Sequence, residues 1–330
     1  MHTAHTQSHR HSRGFTIVEL ITAMAITAVL VLVIVQLTRQ SIDLWKGLQD
    51  ETNSTSAASL ALQTMSRDLE SFQMRSGNPN YQWFFAEVDG AMKGQPKGLS
   101  VPKSARCIFF VCAPDRNPPV GAKSASRDSY RNILASNTDT QGDVGTVGYR
   151  LMYRDQILNL ESKQGDRHMF PLFSLYRQVV NPRETYDYVM GRENLNEAYK
   201  RYESDEKKYF LCENIVELSM TFHVEYTTES SAVRGNAPTY ESVTVPILSS
   251  SARGGERRFR MWGDRAMADG NVLRHARVVS ATISMTVLTE EGVALIEQVR
   301  HGQRRAPKLE DFFSRYTRSY ARSVTMPVPL

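Results

Sequence analysis

Three residues near the start of the chain have the types and spacing for chemistry: Gly14, Phe15 and Glu19. Glu19 is the only charged residue from Phe15 to Leu37, an otherwise apolar run. A carboxylate at the centre of a bilayer costs roughly 2.5–3.5 kcal/mol on insertion scales. A charge kept in such a run therefore predicts a function and a partner. Glycine lets a protease approach the backbone closely, and a cut between Gly14 and Phe15 would free an amine four residues before Glu19. Residues four apart share one face of a helix. The expected chemistry is thus cleavage followed by charge pairing, with the Phe15 amine of one subunit meeting Glu19 of the next in a staggered bundle.

Other reactive patterns are weak. His168, His223, His275 and His301 are scattered and read as surface or strand residues. Asn137–Asp143 has the look of a calcium loop, but the twelfth place, where a closing acid belongs, is Gly148. Gly142, Gly145 and Gly148 precede a strand, so they do not form a phosphate-binding turn. No metal site, catalytic constellation or cofactor is expected. Net charge is +5 with a pI near 9.0 and no long basic block, which argues against nucleic acid as a partner. Cys107, Cys112 and Cys212 allow one disulfide with one thiol left over, or three small buried side chains. Cys107 and Cys112 differ in parity, so one regular strand points them to opposite faces.

The elements that must position Glu19 follow from the flanks. Met1–Gly14 carries Arg10 and Arg13 and no acid, a basic leader that stays cytoplasmic by the positive-inside tendency. Residues 15–37 are long enough for a membrane-spanning helix, and no small-residue cleavage site follows them. The helix is expected to continue to about Met74. Ala58, Leu62, Met65, Leu69 and Phe72 make an apolar stripe at helical spacing. Gly47 and Asn53–Ser56 are soft points in it.

Gly14-Phe15-Thr16-Ile17-Val18-Glu19, behind a basic leader and at the head of the span, resembles the processing motif of type IV prepilins and type II secretion pseudopilins. The resemblance implies a prepilin peptidase that cuts after Gly14 and methylates the amine of Phe15. It implies other pilins or pseudopilins as partners, with Glu19 as the assembly residue. Leu62–Leu69, Tyr149-Arg150-Leu151 with Leu158, Val216/Leu218/Phe222/Tyr226, and Trp262 before Arg277–Leu288 resemble, in order, the J-type minor pseudopilin of type II secretion. The chain is also similar to the Verru_Chthon cassette protein C family. The implied fold is α+β and pilin-like, a long helix packed on an antiparallel sheet. The implied layout is a leader over 1–14, a transmembrane helix over 15–37, its amphipathic continuation over 38–76 and a β-rich body over 77–330. The implied protein is a non-catalytic, single-pass inner-membrane subunit with a periplasmic body, in a secretion pseudopilus. A minor pilin of a surface pilus is the nearest alternative. A signal-anchored periplasmic hydrolase or binding protein is the alternative of another class.

Within the body, Ala105–Cys112, Val147–Tyr153, Ile215–Tyr226 and Arg277–Leu288 read as strands. On the last, Val279, Ala281, Ile283, Met285 and Val287 are expected on one face. Arg154-Asp155-Gln156 reads as a hairpin turn leading to Ile157–Leu160. Gly90–Lys103 and Ala113–Asp143 read as exposed loops, and Asn181–Lys208 as an insertion with a short helix over Gly191–Tyr202. Pro307–Arg322 is expected to be one amphipathic helix.

Overall fold

The computed structural model of the chain describes residues 16–90, 92, 99, 101, 103–112, 144–158, 160–161, 168–203, 207–227, 240–247 and 258–327. The whole Ala113–Asp143 loop, with the calcium-like stretch Asn137–Asp143, lies outside them. Two units are distinguished, Met1–Glu51 and Thr52–Leu330. One helix, α1 (Ile17–Glu70), runs unbroken through Gly47 and Asn53–Ser56.

In the first unit the side chains from Ile17 to Leu37 are exposed, and most are apolar. Polar atoms on this stretch are met by the helix itself. Thr22 Oγ1 donates to the Val18 carbonyl at 3.0 Å and Thr27 Oγ1 to that of Ala23 at 2.7 Å. Among the described residues α1 is the one helix long and apolar enough to cross a membrane.

In the second unit the expected stripe is buried: Ala58, Met65 and Leu69 are fully covered, with Leu62 and Phe72 nearly so. The helix stops at Glu70 because the chain then pairs with a strand. Gln73 N–H donates to the Phe110 carbonyl and Cys112 N–H to that of Ser71, at 2.9 and 2.8 Å. These sheet bonds replace the next helical turn, short of the Met74 expected from sequence.

Among the described residues the strands of the body form one antiparallel sheet. Its strands are β1 (Gln82–Val88), β2 (Ala105–Cys112), β3 (Val144–Asp155), β4 (Leu160–Glu161) and β5 (Pro171–Val180). They continue as β6 (Phe210–Glu213), β7 (Ile215–Thr227), β8 (Tyr240–Ile247), β9 (Arg258–Trp262), β10 (Arg265–Ala268), β11 (Asn271–Leu288) and β12 (Thr317–Thr325). The order is β6-β5-β3-β2-β1-β9-β10-β11-β7-β8, with β4 on β3 and β12 on β11. The sheet folds onto itself: Phe222 of β7 meets Phe84 of β1 at 5.1 Å and Phe259 of β9 at 4.8 Å between ring centroids. Such aromatic packing between layers supplies both buried area and preferred geometry. The long helix and antiparallel sheet make this an α+β protein, as the sequence predicts.

Several expectations change. Strand β11 begins at Asn271, and between Val278 and Ser280 its register with β7 shifts. Val279 is the extra residue of that bulge, so Val278 is buried and Val279 half-buried, contrary to the single face expected. The β3–β4 turn lies at Gln156–Leu158, past Arg154 and Asp155, which stay in the strand. In the Gly90–Lys103 loop, Leu99 is buried beside Tyr153, Phe173 and Phe312.

The Asn181–Lys208 segment is a packed part of the core. It forms α2 (Pro182–Glu184), a π turn (Thr185–Val189) and α3 (Leu195–Lys200), with Val189, Leu195 and Tyr199 buried. Gly148 on β3 makes room for it. A Cβ there would lie 2.4 Å from the Tyr199 hydroxyl, whose proton goes to the Gln178 carbonyl at 3.0 Å.

The tail is half helix and half strand. After α4 (Glu290–Arg300), α5 (Leu309–Tyr316) buries Phe312 completely, and the chain then extends as β12. Amphipathic spacing continues to Tyr320, but the exposed flank of β11 offers nine consecutive pairs. Threonine and serine at 317, 319, 323 and 325 suit a strand better than a helix interior.

Candidate processing and assembly site

Gly14 and Phe15 lie outside the described residues, so the site is built from Thr16 onward. Thr16 and Glu19 form a reciprocal cap on α1. The Glu19 N–H donates to Thr16 Oγ1 at 3.2 Å, and the Thr16 N–H donates to Glu19 Oε2 at 3.3 Å. The Thr16 hydroxyl is also 3.4 Å from Oε2. This is a capping box, which meets two of the donors a helix start leaves open. It also puts a carboxylate at the positive end of the helix dipole.

Sequence reasoning read Glu19 as a charge in need of a partner and passed over Thr16. The signal was present: Thr-x-x-Glu before an apolar run is the capping pattern. The cap does not exhaust the carboxylate. Both contacts fall on Oε2, and Oε1 accepts no hydrogen bond among the described residues. An ionised carboxylate can accept at both oxygens. The Thr16 N–H belongs to the Phe15–Thr16 peptide, so a cut between Gly14 and Phe15 would leave the cap in place.

A second carboxylate on α1 has a different setting. Asp68 is buried and receives Arg177 Nε at 2.7 Å, Arg177 Nη2 at 2.8 Å and the Tyr149 hydroxyl at 2.5 Å. Burial opposes the charge on Arg177, but its hydrogen bonds to Asp68 outweigh that and raise its pKa. Burial first, and then the neighbouring carboxylate, push the Tyr149 hydroxyl well above its ordinary value, so it stays a donor. Asp68 and Tyr149 stand in two of the segments named above, Leu62–Leu69 and Tyr149-Arg150-Leu151. The structure joins them as a clamp between helix and sheet, and Arg177 was not foreseen.

The cysteines and histidines are placed by the fold as follows. Cys107 and Cys212 are buried thiols; burial raises the first strongly and pushes the second up to about 12. His223 and His275 are exposed on strands, and His301 caps the end of α4. Among the described residues, no three His, Cys, Asp or Glu side chains are grouped to hold a metal.

Residues 9–35 match the prokaryotic N-terminal methylation motif, which is type IV prepilin-like. Neither the curated proteins nor the solved structures compared with the chain include a significant match. The motif spans Gly14, Phe15 and Glu19. It points to a pilin or pseudopilin subunit, to processing by prepilin peptidase and to assembly with other pilins. Proteins with this motif are structural subunits, and the apolar start of α1 is consistent with membrane anchoring.

Proposed function

We propose that the chain is a minor pseudopilin-like subunit that enters or caps a short periplasmic filament of a type II-like secretion system. The observation that carries this reading is the methylation motif at residues 9–35, set directly on an exposed apolar helix start. The basic leader, residues 1–14, is removed by prepilin peptidase between Gly14 and Phe15, and the new Phe15 amine is methylated. Residues 15–37 hold the subunit in the inner membrane, amino terminus inward, with the body in the periplasm. The α1 segment from residue 38 and the β-rich body present the subunit to its neighbours.

Assembly is driven by Glu19. Its Oε2 is held by the Thr16 cap and its Oε1 accepts no hydrogen bond among the described residues, so the amine of a neighbouring Phe15 completes the carboxylate's coordination. Lipid cannot do this, and an unpaired charge in the bilayer is costly.

The test is intact-mass measurement of the full chain expressed in membranes with a prepilin peptidase. A chain that begins at Phe15 and carries one added methyl is expected. A mature terminus at Met1, or one beyond Leu37, would overturn the reading.

A further inference from the structure

The strand edges of the body are guarded unequally. β4 has two residues and β6 four, and β8 carries Pro246. Short edges and proline are devices that deny an edge to other chains. β12 has neither. Its nine residues pair with β11 in continuous register, from Thr317 opposite Leu288 to Thr325 opposite Ser280, and among the described residues no strand lies on its other side.

The parity of its backbone groups is fixed at both ends. The Met326 N–H donates to the Val279 carbonyl at 2.9 Å, and the Tyr316 carbonyl accepts from Thr289 N–H at 2.9 Å. Even-numbered residues therefore turn their peptide groups toward β11, because in an antiparallel ladder alternate residues bond to alternate sides. Ser319, Ala321 and Ser323 turn theirs outward, and all three are exposed.

The side chains give the edge its sign. Arg318, Tyr320 and Arg322 share one face, and both arginines are exposed. Arg318 donates to the Thr317 carbonyl at 3.1 Å, and neither arginine has a carboxylate partner among the described residues. Opposite charges on facing strands attract, and like charges directly opposite repel. A second copy of β12 brings no acid, and in a register centred on Tyr320 it sets Arg318 against Arg322.

We propose that the free edge of β12 accepts an extended acidic segment of a different protein as an added antiparallel strand. Its main chain would bond to Ser319, Ala321 and Ser323, and two acids four residues apart would face Arg318 and Arg322. Strand addition of this kind takes affinity from backbone bonds and selectivity from alternate side chains. The edge belongs to the body, so binding there is independent of cleavage at Gly14.

The test uses the full chain in detergent and two synthetic peptides, Thr-Glu-Thr-Val-Thr-Glu-Thr and its counterpart with Lys for Glu. The acidic peptide should slow amide exchange at Ser319, Ala321 and Ser323 and bind about tenfold tighter than the basic one. Ala321→Pro removes an outward donor while sparing the bonds to β11, and should abolish that protection. The double variant Arg318→Glu/Arg322→Glu should reverse the preference, and it decides the matter if Ala321→Pro does not fold. Equal binding of the two peptides, no protection at about 1 mM of the acidic one, or no reversal in the double variant would overturn the proposal.

Discussion

Two carboxylates on one helix stand in opposite settings. Glu19 lies in the first turn of α1, exposed, with one oxygen engaged by its own cap. Asp68 lies near the other end, buried, with both oxygens engaged by Arg177 and one of them also by Tyr149. The first has spare capacity and no role in the core. The second has little capacity left and fastens the helix to β3 and β5. One helix thus holds a carboxylate with an open oxygen, which suits the assembly role proposed for Glu19, and another filled by donors from the sheet, which suits folding.

The largest expected effect tests that contrast directly. Arg177→Met leaves Asp68 buried without its cation, and breaking a buried pair costs roughly 3–5 kcal/mol. Thermal or denaturant unfolding of the full chain should show this as a marked loss of body stability. Glu19→Ala should leave the unfolding of the body where it was, yet keep the subunit out of filaments or tip complexes. If Glu19→Ala assembled normally, the pairing account of Glu19 would be wrong. If Arg177→Met unfolded like the parent chain, the clamp would be a contact without consequence.

Asp155 extends the comparison to a third kind of partner. It is buried at the end of β3 and accepts from the N–H groups of Ile157, Leu158 and Phe170 at 2.8, 2.9 and 2.7 Å. Burial alone would raise the carboxyl, but the three amides more than reverse this, and Arg300 adds to them, so its pKa lies below the ordinary 3.8. A lowered folded-state pKa contributes stability that is present above 3.8 and lost as pH falls through the folded value. Asp155→Asn should therefore be less stable than the parent at neutral pH, with the gap closing below about pH 4. A gap that widened on acidification would break the assignment of Asp155 as the anchor of this turn.

The three carboxylates also show what the sequence could disclose. Glu19 stood out because its surroundings are local: one acid in an apolar run. The stripe from Ala58 to Phe72 was legible for the same reason, since helical periodicity is read along the chain. Asp68 gave no comparable signal, because its donors lie on β3 and β5, far along the sequence; Asp155 takes two donors from the adjoining turn, but its third, Phe170, lies on the approach to β5. The β11 bulge at Val279 was hidden because it is set by pairing with β7. The change from α5 to β12 was hidden because an amphipathic pattern does not report that a strand flank is vacant. Non-local pairing, more than propensity, decided each of these.

The smallest effect concerns the residue that sequence reasoning passed over. Thr16→Val keeps the size of the side chain but removes the oxygen that receives the Glu19 N–H. Loss of an N-cap costs about 1 kcal/mol, which is roughly a fivefold change in an opening equilibrium. Amide exchange at Glu19, followed in the full chain in bilayer discs, should quicken by about that factor, while exchange in the body stays unchanged. Glu19 itself remains, so the amine of a neighbouring subunit still has its carboxylate, and assembly should be slowed rather than lost. Assembly abolished by Thr16→Val to the same degree as by Glu19→Ala would mean that the cap, and not the open oxygen, is what the neighbouring subunit recognises.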